Sequence, residues 1–383
     1  MKKLSSRFFL IIATSVLLLS CTTSKKILHS AVTISSIKFL NAYEIPYNMQ
    51  YKNTTVGGLS GIDYDAGENV YYFICDDRSD IDAARFYTAR IVLNNYKIDS
   101  LVFTGVHNLL QSNGLAYPNK KQNKLQVTDP EAMRYNPKTK TLVWSSEGER
   151  IVMPGDTVLI NPSVTNMQTN CKFINSFQLP ANMHMQAVEK GPRRNGVFEG
   201  LAYADNYKTL YVSVEEPLYE DGPRAEVVDN NAFIRINKFN TATKKAVAQY
   251  AYKLDAVAYE AKPSNAFKVN GISDIMSLGN NKLLVIERSY STGRLPCTIK
   301  VFIANLNAAT DVTGITLTNN KNFIPVNKTL LLNMDSLGIY TDNIEGVTYG
   351  PVLPNGKKSL LFIADNNFNP LEKAQLLLFE IIE

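Results

Sequence analysis

One short pattern recurs five times along this chain, and it limits the folds available more than any other feature. Its clearest copy is Phe198–Glu216, FEGLAYADNYKTLYVSVEE. An apolar run opens at Glu199, a polar turn follows at Asp205–Lys208, and a second apolar run ends on Glu215 and Glu216. Turn residues between two such runs mark a β-hairpin. Ser60–Tyr64 leads in the same way to Asp76 and Asp77, and Glu131–Tyr135 leads to Glu147. Ser273–Met276 leads to Glu287 and Arg288, and Glu345–Tyr349 leads to Asp365.

The first runs begin at 60, 131, 199, 273 and 345, so the spacings are 71, 68, 74 and 72 residues. A fixed period signals a repeat architecture. Each unit holds strands and no helical periodicity, and one small sheet cannot bury its own apolar face. Sheets set radially cover one another and keep their edges short, which is a β-propeller. The fold class is therefore all-β. Five units favour five blades. The period is long for a propeller, so six blades remain open if one lies between motifs.

The body is assigned to residues 35–383. Residues 36–45, SIKFLNAYEI, and the terminal Leu376–Ile382 both read as strands, and a shared blade would remove two sheet edges. Residues 101–128 and 153–172 read as long loops, as does the charged segment 217–231. The N-terminus reads as an address. Met1–Arg7 is basic, Phe8–Leu19 is apolar, and Leu18–Cys21 resembles a bacterial lipobox. Residues 1–20 would be the signal peptide, Cys21 the lipidated first residue, and 21–34 its tether. That places the protein in the bacterial cell envelope, outside the cytoplasm, on an outer-membrane or periplasmic face.

Charge excludes one class of partner. The chain has 40 Lys and Arg against 35 Asp and Glu, and without Lys2, Lys3 and Arg7 the balance is 37 against 35. Nucleic-acid binding needs a clustered basic face, which is missing here. The chain is read as a monomer. Cys75, Cys171 and Cys297 lie in or beside apolar runs without CxxC spacing, as buried thiols do. The three histidines, His29, His107 and His184, fall in no triad motif, and Gly58–Ile62 is no nucleophile elbow.

The chemistry lies in the acids. First runs carry Glu131, Glu199 and Glu345, with Asp129 just ahead and Asp274 in the fourth unit. Second runs end in Asp76 and Asp77, Glu147, Glu215 and Glu216, Glu287, and Asp365. A single acid at a hairpin end is usually solvated or caps the turn. Five in register would ring one channel mouth. Carboxylates that close repel unless cations join them, and Arg78, Arg150 and Arg288 each closely follow an acid.

Read in order, these segments resemble a family. They are Gly57–Gly61 with Asp76–Arg78, Asp129–Ala132 with Ser146–Gly148, and Phe198–Leu201 with Glu215. Ile272–Ile275 with Ile286–Arg288 and Asn343–Val347 with Ala364–Phe368 complete the series. It resembles the phytase-like proteins called "esterase-like activity of phytase", from about 57 to 381. Ala132 departs from the family's glycine after the glutamate. The resemblance implies a propeller related to β-propeller phytases, which use calcium in an acidic cleft to hold substrate phosphates. It implies metal ligands among Asp76, Asp77, Glu131, Glu147, Glu215, Glu287 and Asp365, with Glu199, Glu345, Arg78 and Arg288 acting on a small phosphoester or carboxylic ester. The alternative is a non-catalytic propeller that binds a carbohydrate, lipid headgroup or protein at the same mouth.

Overall fold

The computed structural model describes residues 32–383 apart from 319 and 321. The signal peptide, Cys21 and His29 lie outside the described residues. Five four-stranded antiparallel sheets form the five blades of a propeller. The inner strands are Gly61–Asp65, Pro130–Asn136, Phe198–Ala204, Lys268–Gly279 and Asn343–Tyr349. They contact one another in chain order around the axis, and the fifth contacts the first. Each second strand returns antiparallel: Val70–Ile74, Thr141–Ser146, Thr209–Val214, Lys282–Ser291 and Ser359–Asp365.

All four strands of each of the first four blades fall within one repeat, so no sixth blade is hidden in the long period. The outer strands take up the extra length. Residues 101–128 and 153–172 are not simply loops. Lys97–Asn108 is the outer strand of blade 1, and Ser163–Gln168 is the third strand of blade 2. An inserted hairpin, Glu149–Met153 with Asp156–Ile160, accounts for the turn signals there. In blade 5 the terminal strand Ala374–Ile382 pairs with Ser36–Ile45, so the two ends of the chain do close the ring.

The core is divided among the blade interfaces. Five buried clusters each join two adjacent blades: Ile74, Phe86 and Trp144 between blades 1 and 2, for example, and Leu284, Phe362 and Phe379 between 4 and 5. Both faces of a blade are thus covered, which is why Ser359–Asp365 is buried at every residue and shows no polar alternation. Cys75, Cys171 and Cys297 are buried free thiols.

Near the axis the blades approach closely. A Cβ on Gly200 would lie 2.7 Å from the Ile275 amide nitrogen, on the neighbouring inner strand. Glycine is needed there for room. The same position holds Ala132 in blade 2, where the packing accepts a methyl group. In blade 4 it holds Asp274, and this acid does not join the mouth. It turns along the axis and receives two bonds from Arg134 of blade 2, at 2.7 and 2.6 Å. Arg134 also donates to the Ile62 and Ile275 carbonyls, and Asp274 accepts from the Val347 amide at 2.8 Å. One buried ion pair therefore ties four blades together and plugs the axis below the mouth.

Candidate functional site

The mouth is built by an irregularity that four inner strands share. Their pairing with the second strand slips at Glu131, Glu199, Ser273 and Glu345. These are β-bulges, which re-aim a side chain and are frequent at barrel rims and active sites. In two blades a buried serine of the second strand catches the displaced amide. Ser145 accepts from Ala132 at 3.0 Å, and Ser213 accepts from Gly200 at 3.1 Å. Glu131, Glu199 and Glu345 are thereby held at equivalent places, with Ser60 and Ser273 completing that ring.

Strand register defines a second ring. Ile344 pairs with Ala364, Phe198 with Val214, Pro130 with Ser146, and Ile272 with Glu287. The residues that follow are Asp365, Glu215, Glu147 and Arg288, and Asp76 occupies this place in blade 1. The fourth member is thus an arginine. Glu287 lies one residue earlier, and a one-residue step on a strand reverses the face. Its carboxylate turns between blades 3 and 4, accepting from Tyr252 Oη at 2.8 Å, Asn270 at 2.7 Å and the Asp255 amide at 2.9 Å. Lys328 also pairs with it. Asp77 is displaced in the same sense. It pairs with buried Arg85 at 2.8 Å and caps the amides of Asp80, Ile81 and Asp82. Of the acids expected at the mouth, these two and Asp274 face elsewhere, while Asp76, Glu131, Glu147, Glu199, Glu215, Glu345 and Asp365 gather around it.

They gather in three groups whose oxygens lie within 4.8 Å: Asp76, Glu345 and Asp365; Asp129, Glu131 and Glu147; and Glu147, Glu199 and Glu215. Glu147 links the second group to the third. Eight carboxylates thus meet two central guanidiniums. Arg288 bonds Glu215 at 2.5 Å and Glu345 at 2.6 Å, and it also pairs with Asn343. Arg78 pairs with Asp129 and reaches Glu149 at 3.2 Å and Asn195 at 3.0 Å. Both arginines expected at the mouth are there, tied to carboxylates. Arg150 is not among them: it donates to the Gln186 carbonyl and to Tyr219 Oη.

This concentration of acid shifts the protonation equilibria. Burial, and then the neighbouring charge of Glu215, Glu147 and Glu345, pushes Glu199 well above the ordinary carboxylate range. Burial does the same to Glu131, Glu147 and Asp365, with further repulsion from adjacent acids. Burial raises Asp129 to about 6 although Arg78 opposes it, and raises Glu345 to about 7 although Arg288 opposes it. Burial works against the charge on Arg288, but Glu345 and Glu215 outweigh it.

The groups surround a cavity of about 710 Å³, within the range of small-molecule sites. Its far wall was not foreseen from sequence. Phe267, Val269, Tyr290, Leu295 and Leu371 line it beside the acids. The sequence signal was Arg288–Ser289–Tyr290, whose alternation puts the arginine and the tyrosine on one face. Asp129 was noticed only as a neighbour of Glu131, yet it belongs to a carboxylate group.

A family model described as "Phytase-like: Esterase-like activity of phytase" matches residues 54–368. The chain belongs to this phytase-like family. The match covers all five inner strands and both rings of the mouth. No curated protein matches the phytase-like chain. Among solved structures it is similar to an endo-arabinase from Bacteroides thetaiotaomicron, at 11% identity over 86% of this chain and 97% of that one, with TM-score 0.42. It is also similar to a xylan β-1,4-xylosidase from Bacillus halodurans, at 8% identity over 84% of this chain and 52% of that one, with TM-score 0.44. At TM-scores below 0.5 such similarity carries no information about activity.

Proposed function

We propose that this phytase-like propeller is a calcium-dependent phosphoester hydrolase whose site is the acidic mouth. One observation carries the reading. Among the described residues, eight carboxylates stand in three mutually close groups, with two guanidiniums paired directly to them. The donor set fits a hard cation, because all the ligand atoms are oxygens, of which calcium takes roughly six to eight in flexible geometry. A further sign is Asp365. It is fully buried, its Oδ1 has no hydrogen-bond partner, and it belongs to the group with Asp76 and Glu345. A buried carboxylate oxygen left bare is costly unless a cation or a proton completes it.

Asp76, Glu345 and Asp365 would hold one ion, and Glu147 with its neighbours another. Calcium, when bound, supplies positive charge for phosphate oxygens and promotes attack by water. The chain itself fixes the carboxylates by bulge and strand register. Glu147 accepts from the Val197 amide at 2.5 Å, so its orientation is set by the backbone. Asn343 donates to Glu345 at 2.9 Å and shares Arg288 with it. Arg288 lines the cavity with its guanidinium held by Glu215 and Glu345, a charge suited to a substrate oxyanion.

Turnover of p-nitrophenyl phosphate with and without calcium tests the proposal. Activity should require calcium and fall with chelator. Glu199→Gln keeps the shape of the side chain but removes its charge. It should weaken calcium binding, so that more calcium is needed for activity, and lower kcat/KM by about 100-fold or more, comparable to loss of one electrostatic contact in a site, while circular dichroism stays unchanged. Calcium binding without turnover of phosphate or carboxylic esters would favour the binding-module alternative.

We also propose that lipid on Cys21 holds the protein at the envelope, on the strength of the lipobox-like Leu18–Cys21. Mass spectrometry of the mature N-terminus should find an acylated Cys21. An unmodified cysteine, or cleavage elsewhere, would exclude the anchor.

A further inference from the structure

The mouth is not symmetric, and its asymmetry bears on the substrate's alcohol. Blades 1, 2, 3 and 5 place Asp76, Glu147, Glu215 and Asp365 in the outer ring. Blade 4 places Arg288 there, with Ser273 in the inner ring. It offers the mouth no carboxylate. It offers an apolar surface instead, arranged in rows that run outward from Arg288. Gly271 pairs with Arg288 in the first row, and Val269 pairs with Tyr290 in the second. Two residues along a strand is about 7 Å, so Tyr290 sits on the same face as the guanidinium, one row further out. Phe267 lies beyond, its ring centroid 6.1 Å from that of Tyr290, and its carbonyl accepts from the Thr292 amide at 3.0 Å. Leu295 and Leu371 line the cavity beside them.

Val269 is buried and Tyr290 packs on the core between blades 4 and 5, but the other three stand clear of it. Phe267 is 55% exposed, Leu295 60% and Leu371 68%. Large apolar groups left in water along one wall of a polar cavity mark a binding surface. The cationic lining is sparse by comparison. Among the described residues it consists of Arg78, Arg288 and Arg294, without a lysine, and the first two are already paired with acids. A densely phosphorylated polyol would bring many charges and find few partners.

We infer that the substrate is a phosphomonoester of an apolar, aromatic-sized alcohol, a proposal that rests on the phosphoesterase reading above. The phosphate lies at the carboxylate groups and the alcohol lies against Phe267, Tyr290, Leu295 and Leu371. In the reaction, the oxygen of water bonds to phosphorus and the bond from phosphorus to the alcohol oxygen breaks. A proton from the water passes to the departing alcohol, so phosphate and the neutral alcohol are the products.

The experiment compares phenyl phosphate, glycerol 2-phosphate and phytate as substrates in calcium. Alongside it, calorimetry compares benzylphosphonate with methylphosphonate, neither of which can be hydrolysed at oxygen. Phenyl phosphate should exceed the other two substrates in kcat/KM by about tenfold or more, the scale of a small apolar contact. Benzylphosphonate should bind correspondingly tighter than methylphosphonate. Leu295→Ser combined with Leu371→Ser, both at exposed positions, should remove most of either preference without changing the melting temperature. Equal kcat/KM for phenyl and glycerol phosphates, or equal affinity for the two phosphonates, would overturn the inference. Selective benzylphosphonate binding with no turnover of any ester would keep the apolar wall and reject the hydrolase reading.

Discussion

In the presence of chelator, the melting temperature of this protein should fall as pH is raised from about 4 to about 7. The sign follows from the carboxyls of the mouth. Burial raises Asp129 from its usual 3.8 to about 6, and Glu345 from 4.5 to about 7. Between those values each group holds more proton when folded than when unfolded. Its contribution is therefore complete at low pH and is lost as pH rises through the folded pKa. Both shifts have the same direction, so the two groups act together on the slope. With saturating calcium the slope should reverse. The ion binds deprotonated carboxylates, so its affinity grows with pH. At a free calcium concentration about 100 times Kd the added stability is about 2.7 kcal/mol. Differential scanning fluorimetry across pH, in chelator and in calcium, reads both slopes. Parallel curves would mean that the acids bind no ion and would remove the basis of the proposed activity.

The axial plug should give the other large effect. Asp274→Ala leaves buried Arg134 without its hydrogen-bonded carboxylate, with only the more distant charge of Asp63 to offset it, and breaking one side of a buried pair costs about 3–5 kcal/mol. Urea denaturation followed by the fluorescence of Trp144, the single tryptophan, measures this. Adding Arg134→Met should restore much of the loss, since an apolar replacement of the whole pair is often neutral or better. A loss below about 1 kcal/mol in Asp274→Ala, within the range of surface substitutions, would show that the pair is dispensable. The mouth should keep its calcium response in the double variant, because neither residue belongs to the carboxylate groups.

The repeat of hairpins by itself determined the all-β class and a propeller of five or six blades, and the strand-like runs near both ends pointed to a shared closing blade; the sheet topology settled the number at five. The reason is local. Alternation, turn residues and a fixed period are written in neighbouring residues, and a sheet with two apolar faces has few ways to be covered. The same reading located Glu131, Glu199 and Glu345, because the bulge that aims them sits within the motif itself.

What only the tertiary structure decided was which of two adjacent residues faces the mouth. Glu287 and Arg288 are neighbours, and so are Asp76 and Asp77. Side chains reverse at each step, so the choice depends on the register against the inner strand and on where that register slips. Pairing of Arg134 with Asp274 was equally hidden, since 140 residues separate them and the radial arrangement alone brings them to the axis. The apolar wall built by blade 4 and the last loop of blade 5 was hidden for a similar reason. Phe267, Tyr290 and Leu371 lie on separate segments, and their sequence neighbours do not distinguish a wet cavity wall from the core of a blade.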